Sequence, residues 1–473
     1  MDILALTKRG VLATAIATAM FVSGCAKEQP TEAEHAEHDH KEGEAHATAV
    51  EVEKGKEAEA LLNSFADMAL ASYSDSLEGA KKLQVALNTY VDEPTQANLD
   101  AAKAVYNEAR NPYSQTEVFR FDEGFVTANT NRAIESVDGW EGQLNAWPLD
   151  EALIDYVSDS YEGEYNNSAN IINSDSIKIG SISQDTSKIT PQLLADMNEI
   201  GGSEANVTSG YHAIEFLLWG QDTNGTGEGA GNRPVSDFNT EEGKCTNGTV
   251  VADSTKTCQR RGEYLKAAAQ LLVDDLTAMV AQWQPDSENT LRSDLLARKD
   301  DNAVRQVMYE MGSLALGELA SERLQVAVVV GSTEDEHECF SDLTHNSYAK
   351  NAQGIKNIFE GNYNGKGGYG VKQYLIDMGK QEEADALQAK FDNVTTAFDV
   401  IVDQAENNGI KVDQMIATVA QANGNGVAKE EQEKRRGWIN DSIATLQEVT
   451  AGIETAAASV GIDKLDADTG SQF

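Results

Sequence analysis

A short run near the middle of the chain, Gly210-Tyr211-His212-Ala213-Ile214-Glu215-Phe216-Leu217-Leu218-Trp219, constrains the fold more than any other stretch. Apolar side chains cover nearly the whole circumference of a helix built from it, so that helix is buried on most sides and needs other elements packed around it. His212 and Glu215 stand three positions apart and share one face. An unpaired carboxylate inside such a wall is costly. The two groups therefore either satisfy each other and nearby donors, or point together at a cation.

The rest of the chain supplies helices to surround it. Apolar residues recur at helical spacing over residues 53–91, as in Leu61, Leu62, Phe65, Met68, Ala69, Tyr73 and Leu77, before Pro94 starts a new segment. A second helix is expected over 95–109, stopping near Pro112, and a third over 147–157, opened by Trp147-Pro148-Leu149-Asp150. Pro191 is a good first position for a helix over 191–200. Longer helices are expected over 261–283, 303–330, 381–407 and 429–460, the first with Leu265, Ala268, Leu271, Leu272 and Leu276 on one stripe. No alternating strand pattern of any length is present, and 158–190 reads as polar and irregular. With only 7 prolines and 40% hydrophobic residues in 473, the expectation is an all-α protein of two antiparallel helical bundles.

Charge and the N-terminus bound the setting. A formal net charge of -41 excludes a generic nucleic-acid binder and favours cations near the surface. Lys8 and Arg9 precede an apolar run over 11–21 and then Val22-Ser23-Gly24-Cys25. That is a secretory signal with a lipobox: residues 1–24 are removed, and Cys25 takes a diacylglyceryl group that makes the membrane a partner. The expected location is the bacterial envelope, lipid-anchored, at the outer membrane facing the periplasm or the cell surface. Residues 25–52 read as a flexible Glu-, Ala- and His-rich tether whose His35, His38, His40 and His46 are either a loose metal-gathering arm or part of a spacer.

Outside the cytoplasm disulfides persist, and Cys245 and Cys258 flank a polar segment with little apolar content to hold it. Their pairing is expected, with loop closure contributing about 3 kcal/mol. Cys339 is then either a buried thiol or a competitor for Cys258. The Gly-rich stretch after Gly220 faintly resembles a calcium loop over 222–228, but Arg233 stands where a closing Glu would bind.

The central G-x-H-x-x-E, followed by Phe216-Leu217-Leu218-Trp219-Gly220-Gln221-Asp222, resembles the signature of the imelysin family. So do Asn111-Pro112-Tyr113-Ser114-Gln115-Thr116-Glu117-Val118-Phe119-Arg120-Phe121, Trp147-Pro148-Leu149-Asp150, Arg261-Gly262-Glu263-Tyr264-Leu265 and the block from Asp335 to His345. The resemblance covers roughly residues 55–460. It implies an all-helical bacterial envelope protein linked to iron acquisition, with two helical-bundle domains and a site near their interface. The family is also catalogued as insulin-cleaving metallopeptidases. The resulting division is a signal over 1–24, a tether over 25–52, a first helical domain over 53–240, a disulfide-closed insertion over 241–259 and a second helical domain over 260–473.

Past the tether the only histidines are His212, His337 and His345. A metal site needs three or more ligands, so His212 and Glu215 require help, and the 336–345 block is the best supplier through His337, Asp342 and His345. The alternative is that Ser341 and Asp342 cap a helix while His345 lies on the surface. Glu117 and Arg120 form an ion pair or, as the resemblance implies, line the site with Ser341. For peptidase chemistry there is no H-E-x-x-H, and Phe216 breaks the inverted H-x-x-E-H; Glu117 or Glu336 would have to be the base. A mixed His, Glu and Asp set suits iron at least as well as zinc. The reading is an envelope lipoprotein that binds a metal, iron favoured over zinc, or an iron-carrying ligand, in concert with iron-transport partner proteins. A zinc-type metallopeptidase and a non-catalytic partner-docking lipoprotein are the alternatives.

Overall fold

The computed structural model describes residues 52–120, 137–161, 163, 165, 169–298, 301–462 and 465. The expected signal segment, the expected lipidation position Cys25 and the expected tether up to residue 51 lie outside the described residues.

The chain opens with α1 (Glu57–Asp92) and α2 (Gln96–Ser114), an antiparallel pair split at Pro94. Thr95 starts α2 by accepting the Asn98 N–H at 3.2 Å, as a helix cap does. Pro112 lies inside the last turn, and the helix runs on to Ser114 rather than stopping before it. Then come α3 (Val137–Asn145), α4 (Glu151–Ile154), α5 (Pro191–Met197), with Pro191 at its start as expected, and α6 (Gly210–Trp219). Helix α7 (Thr255–Trp283) begins inside the disulfide-closed insertion, so Cys258 sits in its first turns. The bond between Cys245 and Cys258 is formed, with Cα atoms 5.8 Å apart, and Cys339 is a free buried thiol.

The second half adds α8 (Leu291–Arg298), α9 (Asp301–Ser313), a π-helical segment (Leu314–Gln325), α10 (Val326–Val330), α11 (Thr344–Glu360), α12 (Val371–Asp377), α13 (Gln381–Asn407), α14 (Val412–Ile416), α15 (Val419–Gly424) and α16 (Lys429–Ser459). The single helix expected over 303–330 is therefore three pieces. The wider π turn is invisible to a 3.6-residue reading, because the same residues stay apolar and buried on one side.

Helix α1 packs along both α2 and α7, and α6 lies against α2, α3 and α7. The motif helix is thus walled in, as its composition demanded, with every residue from Gly210 to Trp219 buried. In the second half α16 packs on α13, on α9 and on the π segment, while α11 touches both α13 and α2. Helix α11 thereby carries the end of the 336–345 block toward the first half.

Three short hairpins correct the expectation of no strands: Ser176–Ile179 with Ile182–Asp185, Thr246–Asn247 with Val250–Val251, and Asn362–Tyr363 with Lys366–Gly367. At two to four residues each they are too brief to show a period in sequence. The helix expected over 147–157 shrinks to Glu151–Ile154, because Asp155 turns away to meet two arginines. No helix among the described residues is long and apolar enough to cross a membrane.

Candidate metal centre

Helix α6 can start where it does only because of Gly210. Its φ of +75° is in the left-handed region, and a Cβ there would meet the Leu144 carbonyl oxygen of α3 at 2.3 Å. This close approach explains the glycine of G-x-H-x-x-E and sets the end of α3, with Asn145, beside the first turn of α6.

Within α6, His212 Nδ1 lies 3.0 Å from Glu215 Oε2, and both side chains are fully buried. The other carboxylate oxygen, Oε1, accepts the Ser341 N–H at 2.9 Å and the Ser341 hydroxyl at 2.6 Å. The Tyr106 hydroxyl of α2 donates to Oε2 at 3.4 Å. Burial pushes the Glu215 carboxyl up to about 7, against the pull of Ser341 and of Arg110. Burial also holds His212 down to about 3, so its imidazole is neutral. When Glu215 is ionised it only accepts, so the single ring proton then belongs on Nδ1 and the lone pair on Nε2. That Nε2 is buried and has no hydrogen-bond partner.

His337 stands next to it, with ring centroids 4.7 Å apart in an edge-on arrangement. Its proton is placed by Asn145. Arg110 Nη1 donates to Asn145 Oδ1 at 2.7 Å, which turns the amide nitrogen toward His337 Nε2 at 3.4 Å. Nε2 therefore accepts, and Nδ1 carries the hydrogen, again without a partner. Burial keeps His337 well below its ordinary value, assisted by Arg323 and His212. The two neighbouring imidazoles thus present opposite faces: a lone pair from His212 and an N–H from His337. Trp147 closes the third side, its ring 5.2 Å from that of His212.

Arg110 is 1% exposed and lies over the Tyr211 ring at 4.8 Å. Its Nε is paired with Glu338 Oε1, which also accepts the Ser347 hydroxyl at 2.6 Å. Arg110 Nη2 and Glu338 Oε2 have no partner. Neither Arg110, Asn145 nor Tyr106 was singled out from sequence. A signal existed, since Tyr106, Arg110 and Tyr113 fall at i, i+4 and i+7 on one face of α2.

The other expected site residues are distributed differently. Ser341 joins Glu215, and Leu343 rather than Ser341 or Asp342 starts α11. Asp342 has a φ of +58° and an unpartnered Oδ1; burial, reinforced by Asp222, pushes it up to about 7. Glu336 is fully buried with both oxygens unpartnered, and burial with the Asp413 and Asp342 charges raises it well above the usual carboxyl range. His345 is buried, not on the surface, and its Nε2 pairs with Glu406 of α13. Glu117 accepts from Arg323 at 2.5 Å, from Arg120 at 3.1 Å and from the Asn351 amide at 3.0 Å. Burial alone would raise it, but the Arg323 and Arg120 guanidinia overcome that and hold it down to about 2. The π segment contributes Arg323 and Glu318 to this network, and Glu318 pairs with Arg120.

Arg261, from the Arg261-Gly262-Glu263-Tyr264-Leu265 block, has a structural task. Its Nε and Nη2 donate to Asp155 at 2.6 and 2.9 Å. Arg233, at the place where a calcium loop would close, also donates to Asp155 at 2.7 Å and to Asp237 at 3.2 Å. These buried charges tie α7 to the 155 and 233–237 segments, and Arg261 Nη2 reaches the insertion by donating to Asn247 at 2.7 Å.

Among the described residues no three His, Cys, Asp or Glu side chains stand together in a metal-holding group. Glu215 is saturated by Ser341, Tyr106 and His212, and the lone pair of His337 faces Asn145. The lone pair of His212 Nε2 is thus left without a protein partner.

The comparisons agree with this architecture. A structure of a candidate iron-regulated protein A precursor from Parabacteroides distasonis superimposes with a TM-score of 0.54 at 14% identity, covering 88% of this chain and 98% of that one. An imelysin-like protein from Psychrobacter arcticus gives 0.53 at 13% identity, covering 89% and 99%. At such identities the likeness is one of fold. Iron-regulated protein A of Synechococcus elongatus is 35% identical over 79 residues, which is 17% of this chain and 19% of that protein's length. The imelysin family model matches residues 69–436, most of the chain, and the chain therefore belongs to the imelysin family.

Proposed function

We propose that this chain binds iron in a chelated form, through the Nε2 lone pair of His212, as part of iron handling at the bacterial envelope. The observation that carries the reading is the buried, neutral His212 whose Nδ1 is tied to Glu215 and whose Nε2 is unpartnered. A carboxylate on the far ring nitrogen is the arrangement that orients a histidine toward a metal and raises its basicity. The names of the relatives, iron-regulated protein A in two cases, support iron over zinc. The lipobox at Val22-Ser23-Gly24-Cys25 supports anchoring through Cys25 at the outer membrane, facing the periplasm or the cell surface, where transport proteins would be partners.

The peptidase alternative needs a base, and both candidates have other surroundings. Glu117 is held at about 2 by two guanidinia, and Glu336 sits with Asp413 and Asp342. Titration of the purified chain with ferrous and ferric iron and with zinc, followed by dialysis and elemental analysis, tests the binding reading. Iron retained by the wild type and lost in His212→Ala supports it. Equal retention by both proteins overturns it.

A further inference from the structure

We infer that the π-helical segment Leu314–Gln325 is a two-register element: a charge clamp made by Glu117 and Arg120 selects its π form over the α form, and Tyr348 carries the choice to the His337 ring.

The segment joins two stretches of ordinary α-helix, α9 and α10, without a break in the chain's winding. Its five-residue spacing shows at two bonds: the Val326 N–H donates to the Ser321 carbonyl, and the Ser321 hydroxyl donates to the Leu316 carbonyl at 2.8 Å. Such winding is rare and mostly lasts a single turn, so 12 residues of it need something outside the helix to hold them. Intrinsic propensity pulls the other way, since the Leu, Ala, Glu, Gln and Arg of this segment are among the best α-helix formers.

Glu318 and Arg323 provide the hold. They stand five positions apart, yet Arg323 Nη2 lies 2.7 Å from Glu318 Oε2. In an α-helix five positions amount to roughly 140° around the axis, which points the two charges apart, whereas π winding sets i over i+5. Both charges then meet one external pair. Arg323 Nη2 donates to Glu117 Oε2 at 2.5 Å, and Glu318 pairs with Arg120. Glu117 opens and Arg120 closes the single helical turn that follows α2, and the two are paired at 3.1 Å. Glu141 steadies Arg120 at 3.1 Å, and Asn351 of α11 accepts from Arg323 at 2.7 Å. The clamp is thus a fixed acid beside a fixed base, and it matches an acid and a base stacked on one side of the segment. In the α register only one of the two could stay on it, and a buried charge that loses its partner is strongly destabilising.

The register is felt across α11. The Tyr348 hydroxyl donates to the Arg323 carbonyl at 3.2 Å, and the Tyr348 ring stacks on His337 with centroids 6.3 Å apart and planes 18° apart. Rewinding to α moves that carbonyl, so Tyr348 loses its acceptor and His337 its stacking partner.

The test compares crystal structures of the full chain as wild type, Glu318→Ala and Arg323→Met, together with NMR of the histidine rings in solution. In the wild type the N–H groups of the segment are expected to donate to carbonyls five residues back. In both variants they are expected to donate to carbonyls four residues back, with the His337 ring resonance shifted from its wild-type position. Glu318→Ala is the milder change, at a side chain 17% exposed, and it decides the matter alone where Arg323→Met does not fold. Wild-type α winding, or π winding kept in Glu318→Ala, overturns the inference. Variants that rewind to α while the His337 resonance stays in place overturn the transmission through Tyr348.

Discussion

Glu215 Oε2 accepts the Nδ1 proton of His212 across 3.0 Å, and Ser341 occupies the other carboxylate oxygen twice over. The H-x-x-E spacing, which in sequence reads equally well as two metal ligands, is in the fold a hydrogen-bonded pair that fixes the His212 ring and leaves its Nε2 without a partner. Glu215 is a positioning residue, and Ser341 positions Glu215 in turn.

Glu215→Gln retains an acceptor for the Nδ1 proton and is expected to weaken iron binding by about 10–100-fold, as loss of an outer-shell carboxylate does. His212→Ala removes the lone pair and is expected to abolish binding. Equilibrium dialysis of the two variants checks this, and equal, complete loss in both would make Glu215 a ligand.

Gly210→Ala is expected to destabilise the chain by at least about 2 kcal/mol, because the left-handed backbone is unfavourable for a Cβ and that Cβ would strike the Leu144 carbonyl. Urea denaturation measures it. A midpoint unchanged from wild type would show that α3 and α6 do not meet as described.

Removing the Cys245–Cys258 bond with Cys258→Ser is expected to cost about 3 kcal/mol. Arg261 still donates to Asn247, and Asp237 still accepts from the Thr246 hydroxyl and the Gly248 N–H, so the insertion stays fastened and the α7 core should remain helical. Peptide mapping without reductant is expected to show the one cross-link, with Cys339 slow to alkylate until the chain unfolds.

Acid sensitivity follows from Glu117. Its folded pKa, about 2, lies below the ordinary carboxyl value, so its ion network contributes stability above about pH 4.5 that is lost as pH falls toward 2. Those two to three pH units correspond to ~3 kcal/mol. In Glu117→Gln that segment of the stability curve is expected to flatten, as read by chemical denaturation between pH 5 and 3. His212 acts in the same direction: its folded pKa of about 3 is below the unfolded value, so the buried neutral ring also costs stability as pH drops from about 6.5.

The long helices were legible because each repeats one apolar stripe: the expected 381–407 coincides with Gln381–Asn407 and 429–460 nearly so with Lys429–Ser459. Helix α11 escaped notice since buried Asn351, Asn357 and Gly354 interrupt its stripe of Tyr348, Ile355, Ile358 and Phe359. His212 and Glu215 were readable as a pair because a buried imidazole and carboxylate three positions apart need partners, and Ser341 and His337 joined them through the family-like 335–345 block. Their division of labour was not, because it depends on which proton Asn145 and Ser341 place, and both partners come from distant segments. His345 and Glu117 looked equivalent to them in sequence, yet each is claimed by a charge from another helix: Glu406 for one, Arg323 for the other.

The most direct test of the central claim is X-ray absorption at the iron edge on the iron-loaded full chain. A single imidazole in an otherwise oxygen-rich shell, absent from His212→Ala, is the predicted result. A shell without imidazole, or one unchanged in His212→Ala, would contradict the assignment of His212 Nε2 as the metal ligand.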